Sequence, residues 1–387
     1  MRKKIAILGS TGSIGKTTLK IIEKKVNLFE VNTLIANKNF KDISIQIKKF
    51  KPKLFLISDK STYLKIKKKF PKSKTKFINN FQELSLSKKD IDITISAIPG
   101  IKGLEPTIIY VKKSKKVLLA NKESVICGWN IIKKVATKYR TKIIPIDSEH
   151  FSIYKLLQNH HASEVKKIYI TASGGPFLNL KKDKFKYIKP KNAIRHPKWN
   201  MGKKISVDSA TLMNKILELI EANKIFNYKL NDFKIIIHPQ SLVHAIIKFK
   251  SGITKFLYHE PDMSIPIANA IFDSKMDFDY IKKNNIDLAP SLDFFEVDEK
   301  KFPIIGIIPK LNKYISTPIV INAANEILVD QFLKKKISFN AIISSLFLVL
   351  KDKNYKKYAI KKPSNLNIIY EIDQWSRNTA KTIIENN

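Results

Sequence analysis

Residues 4–15 read KIAILGSTGSIG, a short apolar run followed by glycines at positions 9, 12 and 15. The run predicts a buried strand, and the glycines predict a tight turn that opens a helix. Such a turn lets the backbone approach a pyrophosphate at the helix N-terminus. The spacing is G-x-x-G-x-x-G and not the commoner G-x-G-x-x-G, so a glycine-rich turn without a ligand is the alternative. The stretch predicts the first βα unit of a dinucleotide-binding fold.

Strand-like apolar runs recur along the next 130 residues, and amphipathic or polar helical segments separate them. The runs lie at 31–36, 53–57, 92–98, 116–120 and 142–146. Alternating strands and helices predict parallel βαβ units, whose buried strands are continuously apolar. Residues 1–150 are therefore predicted to form an α/β domain with a Rossmann-like, doubly wound parallel sheet.

The pattern changes after residue 150. Residues 151–272 combine four strand-like runs with a helix after Asp208, which predicts an α+β domain. Residues 273–298 have poor periodicity and are interpreted as a linker. From 299 to 387, Ile, Leu and Phe recur at helical spacing, which predicts a small all-helical domain.

The glycine loop also resembles a phosphate-binding P-loop. Gly15, Lys16 and Thr17 match the end of that motif, but its first glycine would fall at Ser10. No strand-borne acidic partner is evident either. Lys16 is therefore interpreted as unrelated to nucleotide phosphates.

The end of the second predicted strand indicates which dinucleotide binds. An NAD site uses an acidic residue there to bind the ribose 2′-hydroxyl. This chain has Asn37, Lys38 and Asn39 instead, and the lysine can pair with a 2′-phosphate. The sequence favours NADPH over NADH.

Composition limits the possible functions. The formal net charge is +39, yet only four of the 72 basic residues are arginine, the residue preferred for nucleic-acid recognition. The lysines are spread along the chain, which is typical of an AT-rich symbiont genome. No apolar run approaches the ~20 residues of a membrane span, and the single cysteine, Cys127, excludes a disulfide framework. We expect a cytoplasmic bacterial enzyme that binds neither nucleic acid nor membrane.

Three carboxylates are candidates for a metal site. Asp147 and Glu149 follow the strand at 142–146, at the sheet edge that faces the ligand crevice. With Glu218 they would form an all-oxygen ligand set that suits Mg²⁺ or Mn²⁺ better than Zn²⁺. A solvent-exposed acidic loop is the alternative. His150 is interpreted as a packing residue or a support for the ligands, and not as a ligand.

The block RHPKWNMGKKISVDSATLMNKILE at 195–218 is rich in candidate ligands for a phosphorylated, chelated small molecule. One helix is expected to carry Ser209, Asn214, Lys215 and Glu218. At their spacing, the last three project from one helix face. A surface ion pair between Lys215 and Glu218 is the alternative.

Two loops complete the candidate site. Asn121 and Lys122 follow the strand at 116–120 and should overlook the crevice. Ser173 opens a glycine-containing hinge, and the segment after it carries His196 and Trp199. A long loop between ordered elements is often an active-site lid. Trp199 is expected either to cover substrate or to anchor this loop in a core.

The motifs GSTGSIG, LANKES, DSEH, TASGGPF, RHPKWNMGKKISVDSATLMNK, IHPQS, EPDM and NAANE occur in that order. With them the chain resembles the 1-deoxy-D-xylulose 5-phosphate reductoisomerase family, from residue 4 to the helical C-terminal end. The resemblance implies a homodimer whose residues 151–272 form the catalytic and dimerisation domain, with a lid at 173–203. It implies that NADPH and a divalent metal convert 1-deoxy-D-xylulose 5-phosphate to 2-C-methyl-D-erythritol 4-phosphate in non-mevalonate isoprenoid biosynthesis.

The resemblance also implies a role for each matching residue. The NADPH contacts would be Thr11, Gly12, Ser13, Ile14, Asn37, Lys38, Asn39, Asn121, Glu123 and Gly202. The metal ligands would be Asp147, Glu149 and Glu218. The substrate contacts would be Lys122, Ser148, Glu149, Ser173, His196, Trp199, Ser209, Asn214, Lys215 and Glu218, with Lys122, Lys215 and Glu149 catalytic.

Two other functions are weighed against this one. Another NADP-dependent enzyme, such as a semialdehyde or homoserine dehydrogenase, would need no three-carboxylate metal site. A basic nucleic-acid-binding protein would bind DNA tightly and with strong salt dependence.

Overall fold

The computed structural model describes residues 2–84, 90–199, 201–275 and 291–386. The chain divides into two compact units. The first contains the chain up to Ser124, Asn130–Asp147 and the segment that begins at Met263. The second contains Val125–Trp129, Ser148–Asp262 and the C-terminal part of the chain.

The first unit is built on a seven-stranded parallel sheet in the order β4-β3-β2-β1-β5-β6-β7. Its strands are β1 (Lys3–Leu8), β2 (Phe29–Ala36), β3 (Leu54–Ile57), β4 (Lys76–Ile78), β5 (Ile91–Ser96), β6 (Ser114–Leu119) and β7 (Lys142–Pro145). The strand order reverses between β1 and β5, which is the switch point of a doubly wound sheet. The predicted fold class is confirmed, and β4 is an edge strand that the sequence pattern missed.

Helices flank this sheet and bury its apolar strands. They are α1 (Ser13–Glu23), α2 (Phe40–Phe50), α3 (Lys60–Lys69), α4 (Leu104–Lys113), α5 (Lys122–Lys138) and α10 (Ser264–Phe272). Leu8, Ile35 and Leu56 lie in one buried cluster with Tyr110 of α4. Residues on successive strands thus form the core predicted by their continuous apolar runs.

The glycine loop joins β1 to α1 at the switch point. Gly9 has a φ of +89°, and a Cβ atom there would lie 2.6 Å from the carbonyl oxygen of Ala97, directly after β5. A Cβ atom on Gly15 would lie 2.4 Å from the Gly9 carbonyl oxygen. Only glycine fits these two positions, because any side chain would collide with rigid backbone.

The second unit contains a four-stranded sheet in the order β11-β10-β8-β9. Its strands are β8 (Val165–Ala172), β9 (Phe233–Ile237), β10 (Val243–Phe249) and β11 (Thr254–Tyr258). β8 and β9 are parallel, whereas β10 is antiparallel to both β8 and β11. The four strands match the four apolar runs of the predicted α+β domain.

The helices of the second unit are α6 (Ser148–Leu156), α7 (Pro190–Ala193), α8 (Lys203–Ala210), α9 (Met213–Phe226), α11 (Thr317–Leu333), α12 (Phe339–Val349), α13 (Tyr355–Ala359) and α14 (Leu366–Glu385). The helical C-terminal region is as predicted. The main helices α11, α12 and α14 bury apolar residues such as Leu328, Leu346 and Ile372.

One helix prediction was wrong. The single helix expected to carry Ser209, Asn214, Lys215 and Glu218 is two helices, α8 and α9, separated at Leu212. Leu212 has a φ of +64° and is buried, and the Thr211 hydroxyl accepts a hydrogen bond from the backbone amide of Met213. A left-handed leucine cannot continue a right-handed helix. Ser209 therefore lies on α8.

The three-domain division predicted from the sequence remains a prediction. Residues 264–272 group with the parallel-sheet unit, where Lys116 contacts Asp273, although they were assigned to the central domain. The central and C-terminal regions group into one unit. Most of the predicted linker at 273–298 lies outside the described residues, since 276–290 are not described.

Candidate active site

Three carboxylates gather at the end of β7 and on the buried face of α9. Carboxylate oxygens of Asp147, Glu149 and Glu218 lie within 4.8 Å of one another. Such a group of hard oxygen donors fits a divalent cation that prefers oxygen ligands. The residues that the sequence singled out as metal ligands are close enough in space to share one ion.

Lys215 lies against two of these carboxylates. Its Nζ atom is 2.6 Å from Oε2 of Glu218 and makes a short contact with Oε1 of Glu149. The side chains of Lys215, Glu149 and Glu218 are all buried, and Glu218 is only 1% exposed. The surface ion pair considered as the alternative is therefore excluded. The Lys215 ammonium thus partly neutralises the same carboxylates that a bound cation would neutralise.

Asn214 extends the same face of α9. Its Nδ2 atom donates to Oε1 of Glu218 in a short hydrogen bond, one helical turn away. The prediction that Asn214, Lys215 and Glu218 project from one face is confirmed by these contacts. The two donors fix the Glu218 carboxylate from both sides, so its orientation is set before any ligand arrives.

The segment after β7 supplies the remaining acidic groups. Ser148 begins α6, and its hydroxyl donates to Oε2 of Glu149. On the other side of this turn, Nζ of Lys122 lies 3.4 Å from the Asp147 carboxylate. Lys122 is only 7% exposed, so this pairing also lies in a partly desolvated environment.

His150 supports the cluster from behind, as expected. Its Nε2 atom lies 2.9 Å from the backbone carbonyl oxygen of Glu218, which can only accept, so Nε2 carries the proton. Its Nδ1 atom lies 3.5 Å from the Glu221 carboxylate, and both side chains are buried. Glu221 was missed by sequence reasoning. Its signal was a second carboxylate three residues after Glu218, within an otherwise apolar helix.

Ser173 and His196 form a hydrogen-bonded pair. Nδ1 of His196 accepts from the backbone amides of Lys198 and Trp199, at 3.1 and 2.9 Å. Nε2 must therefore carry the proton, which it donates to the Ser173 hydroxyl at 2.9 Å. Burial, and then the nearby Lys215 ammonium, lower the pKa of His196 to about 4. The imidazole is neutral at physiological pH.

Trp199 is partly buried and packs against another aromatic side chain. Its ring lies edge-on to His244, with centroids 6.0 Å apart, and His244 stacks on His259. These contacts support the anchoring role that was considered for it. Short helical turns, including α7, occupy the predicted lid between Ser173 and Trp199.

The hinge at Gly174 and Gly175 touches the end of α8. Both glycines have positive φ angles, and a Cβ atom on Gly175 would lie 2.9 Å from the backbone oxygen of Ser209. The Ser173 hydroxyl also accepts from the Gly175 amide at 3.1 Å. The close backbone approach brings the segments that carry Ser173 and Ser209 together.

The nucleotide loop leaves the start of α1 open. Gly12 is the N-cap residue of α1 and has no side chain to cover the first amides, which are the groups that bind anions. Thr11, Ser13 and Ile14 flank it and are at least partly exposed. The Ser10 hydroxyl donates to Gln46 at 2.7 Å, which ties the loop to α2.

Lys16 and the 37–39 turn are placed as the sequence suggested. Nζ of Lys16 lies 2.6 Å from the Asp42 carboxylate, which supports the interpretation that it is not a phosphate ligand. Asn39 caps α2 by accepting from the Asp42 amide, and Asn37 accepts from the Ser58 hydroxyl. Lys38 between them is exposed.

Asn121 has a structural role that the sequence did not reveal. Its Oδ1 atom accepts from the Ser124 amide and caps α5, while its Nδ2 atom donates to the backbone oxygens of Ile98 and Gly100 and to Glu123. The side-chain amide is thus fully engaged within the protein. Gly202, the other outlying residue of the predicted cofactor set, is the N-cap of α8.

Within the described ranges, no helix is both long and apolar enough to cross a membrane.

Comparison with known families and proteins supplies a consistent picture. A family model described as 1-deoxy-D-xylulose 5-phosphate reductoisomerase matches residues 5–128, and the C-terminal domain model of the same description matches residues 143–226. A third model, described as the DXP reductoisomerase C-terminal domain, matches residues 259–379. The chain is 44% identical over 382 residues to the 1-deoxy-D-xylulose 5-phosphate reductoisomerase of Pelagibacter ubique, covering 96% of this chain and 97% of that protein. It is 37% identical to the enzyme of that name from Chlamydia caviae, covering 98% and 100%.

Solved structures agree with these matches. A crystal structure of DOX-P reductoisomerase in complex with NADPH, fosmidomycin and magnesium has a TM-score of 0.93 at 31% identity, covering 99% of this chain and 98% of that one. The 1-deoxy-D-xylulose 5-phosphate reductoisomerase from Zymomonas mobilis in complex with NADPH has a TM-score of 0.90 at 33% identity, covering both chains completely.

Proposed function

The chain belongs to the 1-deoxy-D-xylulose 5-phosphate reductoisomerase family, and we propose that the cluster of Lys215, Asp147, Glu149 and Glu218 is its catalytic centre. The enzyme is an NADP-dependent oxidoreductase that rearranges and reduces 1-deoxy-D-xylulose 5-phosphate to 2-C-methyl-D-erythritol 4-phosphate. The observation that carries the site assignment is the Lys215 ammonium enclosed by buried carboxylates.

The three carboxylates fit a magnesium or manganese ion. They offer only oxygen, they lie within 4.8 Å of one another, and Glu149 and Glu218 are buried. A divalent cation held there supplies Lewis acidity and a template for the ketone and the neighbouring hydroxyl of the substrate. In this proposal Asp147, Glu149 and Glu218 hold that ion.

Lys122, Lys215 and Glu149 are the groups that we place at the proton transfers. The rearrangement breaks the C3–C4 bond after the C4 hydroxyl loses its proton, and it then joins the two fragments in the branched skeleton. Nζ of Lys215 and Oε1 of Glu149 are in direct contact, so a proton can pass between them. Nζ of Lys122 stands beside Asp147 and donates to a developing oxyanion.

The phosphate is proposed to bind between α9, α8 and the Ser173 hinge. The Ser173 oxygen accepts from His196 and from the Gly175 amide, so its own hydroxyl proton is directed elsewhere and can be donated to a phosphate oxygen. Ser209, Asn214 and Lys215 supply further donors. Binding energy at this remote group orients the carbons that react.

NADPH is proposed to bind at the glycine loop, where it supplies the hydride for the final reduction. The open N-terminus of α1 receives the pyrophosphate, and exposed Lys38 pairs with the 2′-phosphate. Asn121 acts by holding the start of α5, because its side chain is fully used within the protein. Trp199 and His196, on the segment after the hinge, are proposed to border the substrate.

We propose that the enzyme acts as a homodimer in the bacterial cytoplasm. Among the described residues β11 is an edge strand of its sheet, and apolar side chains are exposed there: Phe256 is 50% exposed, and the preceding Ile253 is 58% exposed. Exposed apolar edges are sites of strand pairing with a second chain. Sedimentation of the wild type and of Phe256→Lys tests this surface, since a dimer in both would contradict it.

Turnover tests the proposed function. NADPH absorbance is followed after addition of 1-deoxy-D-xylulose 5-phosphate, first with the metal removed by a chelator and then with Mg²⁺ or Mn²⁺ restored. Metal-dependent oxidation of NADPH, with the branched alcohol phosphate as product, supports the proposal. NADPH binding without oxidation under any metal condition would contradict it.

A further inference from the structure

A buried hydrogen bond joins α11 to α8. Nδ2 of Asn325 donates to Oδ1 of Asp208 at 2.8 Å, across 117 residues of sequence. Asn325 is fully buried and Asp208 is 1% exposed. Buried hydrogen bonds to a charged acceptor are among the stronger ones, and removing the donor leaves a buried carboxylate poorly solvated.

Asp208 also has a partner on its own helix. Nζ of Lys204 lies 2.7 Å from Oδ2 of Asp208, one turn earlier on α8. The lysine stabilises the charge of Asp208 but cannot place α8, because both residues belong to that helix. Asn325 is the partner from another element, so its hydrogen bond ties α8 to α11.

The end of α8 also touches the Ser173 hinge. A Cβ atom on Gly175 would lie 2.9 Å from the Ser209 backbone oxygen and 3.1 Å from Cα of Ala210. Asp208 therefore links the last turn of α8 to α11, and the Ser209 backbone links the same turn to the hinge. A helix held on two sides has little freedom to shift.

The break at Leu212 transmits the position of α8 to α9. Only Thr211 and Leu212 separate the two helices, and Leu212 is held at a φ of +64° in the core. The backbone amide of Lys215 donates to the Leu212 carbonyl at 3.1 Å. A displacement of Asp208 would therefore move Ser209 directly and the first turn of α9 through a short, rigid connection.

We propose that Asn325 is a positioning residue for substrate binding: through Asp208 it fixes the placement of Ser209, Asn214 and Lys215 around the substrate phosphate. The inference rests on the phosphate site of the proposed function. In this proposal Asn325 acts through Asp208 and does not itself contact the substrate. Its effect falls mainly on the affinity for the phosphorylated substrate, because the glycine loop proposed to bind NADPH belongs to the other unit. Of the predicted NADPH contacts, Gly202 is the N-cap of α8, the helix that Asn325 positions.

Asn325→Leu tests the inference against a matched control, Asn322→Leu. Asn322 lies on the same helix and is equally buried, but its Nδ2 atom donates to Glu326, at 3.3 Å. Both variants lose a buried amide of the same size. Asn325→Leu is expected to raise the KM and the calorimetric Kd for the substrate about tenfold, since small misplacements of binding groups are costly. Asn322→Leu is expected to leave both within about twofold of the wild type. In Asn325→Leu the Kd for NADPH should change less than the Kd for the substrate does.

Exchanging the amide of Asn325 and the carboxylate of Asp208, called the charge exchange, distinguishes a loss of positioning from a general failure to fold. Asn325→Asp would set two buried carboxylates against each other and should weaken substrate binding more than Asn325→Leu does. The double variant Asn325→Asp/Asp208→Asn exchanges the two side chains. It restores a pair of one amide and one carboxylate, and one carboxylate again lies near Lys204. Substrate affinity is expected to return to within about threefold of the wild type, which is the coupling expected of residues in direct contact.

Amide hydrogen exchange gives a measurement that needs no substrate. Exchange across 206–213 should accelerate in Asn325→Leu and not in Asn322→Leu. Equal effects of the two leucine variants on substrate affinity and exchange would overturn the inference, as would a failed rescue by the charge exchange. Loss of turnover in the wild type would instead overturn the proposed function, while the exchange data would still report on the link between α11 and α8.

Discussion

Nζ of Lys215 lies 2.6 Å from Oε2 of Glu218, three residues along α9, and both side chains are buried. An isolated buried carboxylate is strongly unfavourable, and here the ammonium offsets that cost. Asp147 and Glu149 add further negative charge to the same place. The cluster is therefore prepared for additional positive charge, which a divalent cation provides.

Glu218→Gln tests the role of this carboxylate. The amide keeps the size of the side chain but removes its charge, so turnover is expected to fall at least about a hundredfold with saturating Mg²⁺. NADPH is proposed to bind at the glycine loop, so its Kd, measured by fluorescence, should change less than twofold. A parallel loss of NADPH affinity would count against the assignment.

Gly15→Ala and Gly12→Ala should separate two roles of the glycine loop. A Cβ atom on Gly15 would lie 2.4 Å from the Gly9 carbonyl oxygen, whereas one on Gly12 would lie at 3.4 Å. We expect Gly15→Ala to lower the free energy of unfolding by roughly 1–3 kcal/mol and to weaken NADPH binding. Gly12→Ala should weaken NADPH binding with little effect on stability, because only the approach of the ligand is obstructed. Urea unfolding measures the stability of each variant, and NADPH titration measures its affinity for the cofactor. Equal stabilities of the two variants would contradict the separate roles of Gly12 and Gly15.

Lys38→Ala tests the source of cofactor preference. Lys38 is exposed in the turn after β2, where the sequence has Asn37 and Asn39 instead of the acidic residue that an NAD site uses. Loss of its charge should raise KM for NADPH about tenfold and leave KM for NADH nearly constant. Lys16→Ala is the control, because Lys16 is paired with Asp42. A larger effect of Lys16→Ala would revive the P-loop interpretation.

His196 should make stability depend on pH in the acidic range. Burial, and then Lys215, lower its pKa from 6.5 to about 4 in the folded state. The unfolded chain therefore binds more protons between these values, so this contribution is complete above pH 6.5 and is lost as the pH falls towards 4. We expect His196 to contribute about 1–2 kcal/mol to the free energy of unfolding above pH 6.5. This is less than a fully buried imidazole would contribute, because part of the ring faces solvent.

The matched variant is His196→Gln, which keeps a donor for Ser173 and does not titrate. The difference in unfolding free energy between wild type and variant, followed by urea unfolding from pH 4 to 7, should narrow as the pH falls. A difference that is constant over this range would show that His196 titrates normally.

Periodicity predicted most of the fold, and it failed where distant contacts decide the structure. The runs from residue 4 to 146 and from 166 to 258 became strands because short apolar segments rich in Ile and Val, bounded by turns, suit the buried strands of a sheet. The Lys76–Ile78 strand was missed, since three residues at an edge carry no pattern. The break at Leu212 was missed because leucine favours helices, and only its burial stabilises the positive φ angle.

The sequence predicted which residues form the candidate site, but not the contacts that hold them in place. Spacing alone placed Asn214, Lys215 and Glu218 on one face. No local signal links Asp208 to Asn325 or His150 to the Glu218 carbonyl, because each contact joins segments far apart in the sequence. The internal role of Asn121 was hidden for the same reason, since its partners Ile98 and Gly100 lie on another loop.

Direct metal binding tests the central claim, that Asp147, Glu149 and Glu218 form one cation site. Mn²⁺ is titrated into the enzyme and free ion is measured by electron paramagnetic resonance, in the wild type, in Glu218→Gln and in Glu221→Gln. Glu221 is an equally buried carboxylate on the same helix that lies against His150, so it serves as the matched control. We expect one site in the wild type and at least about tenfold weaker binding in Glu218→Gln, with a clearly smaller loss in Glu221→Gln, because Glu221 is not one of the three ligands. Wild-type affinity in Glu218→Gln would contradict the central claim.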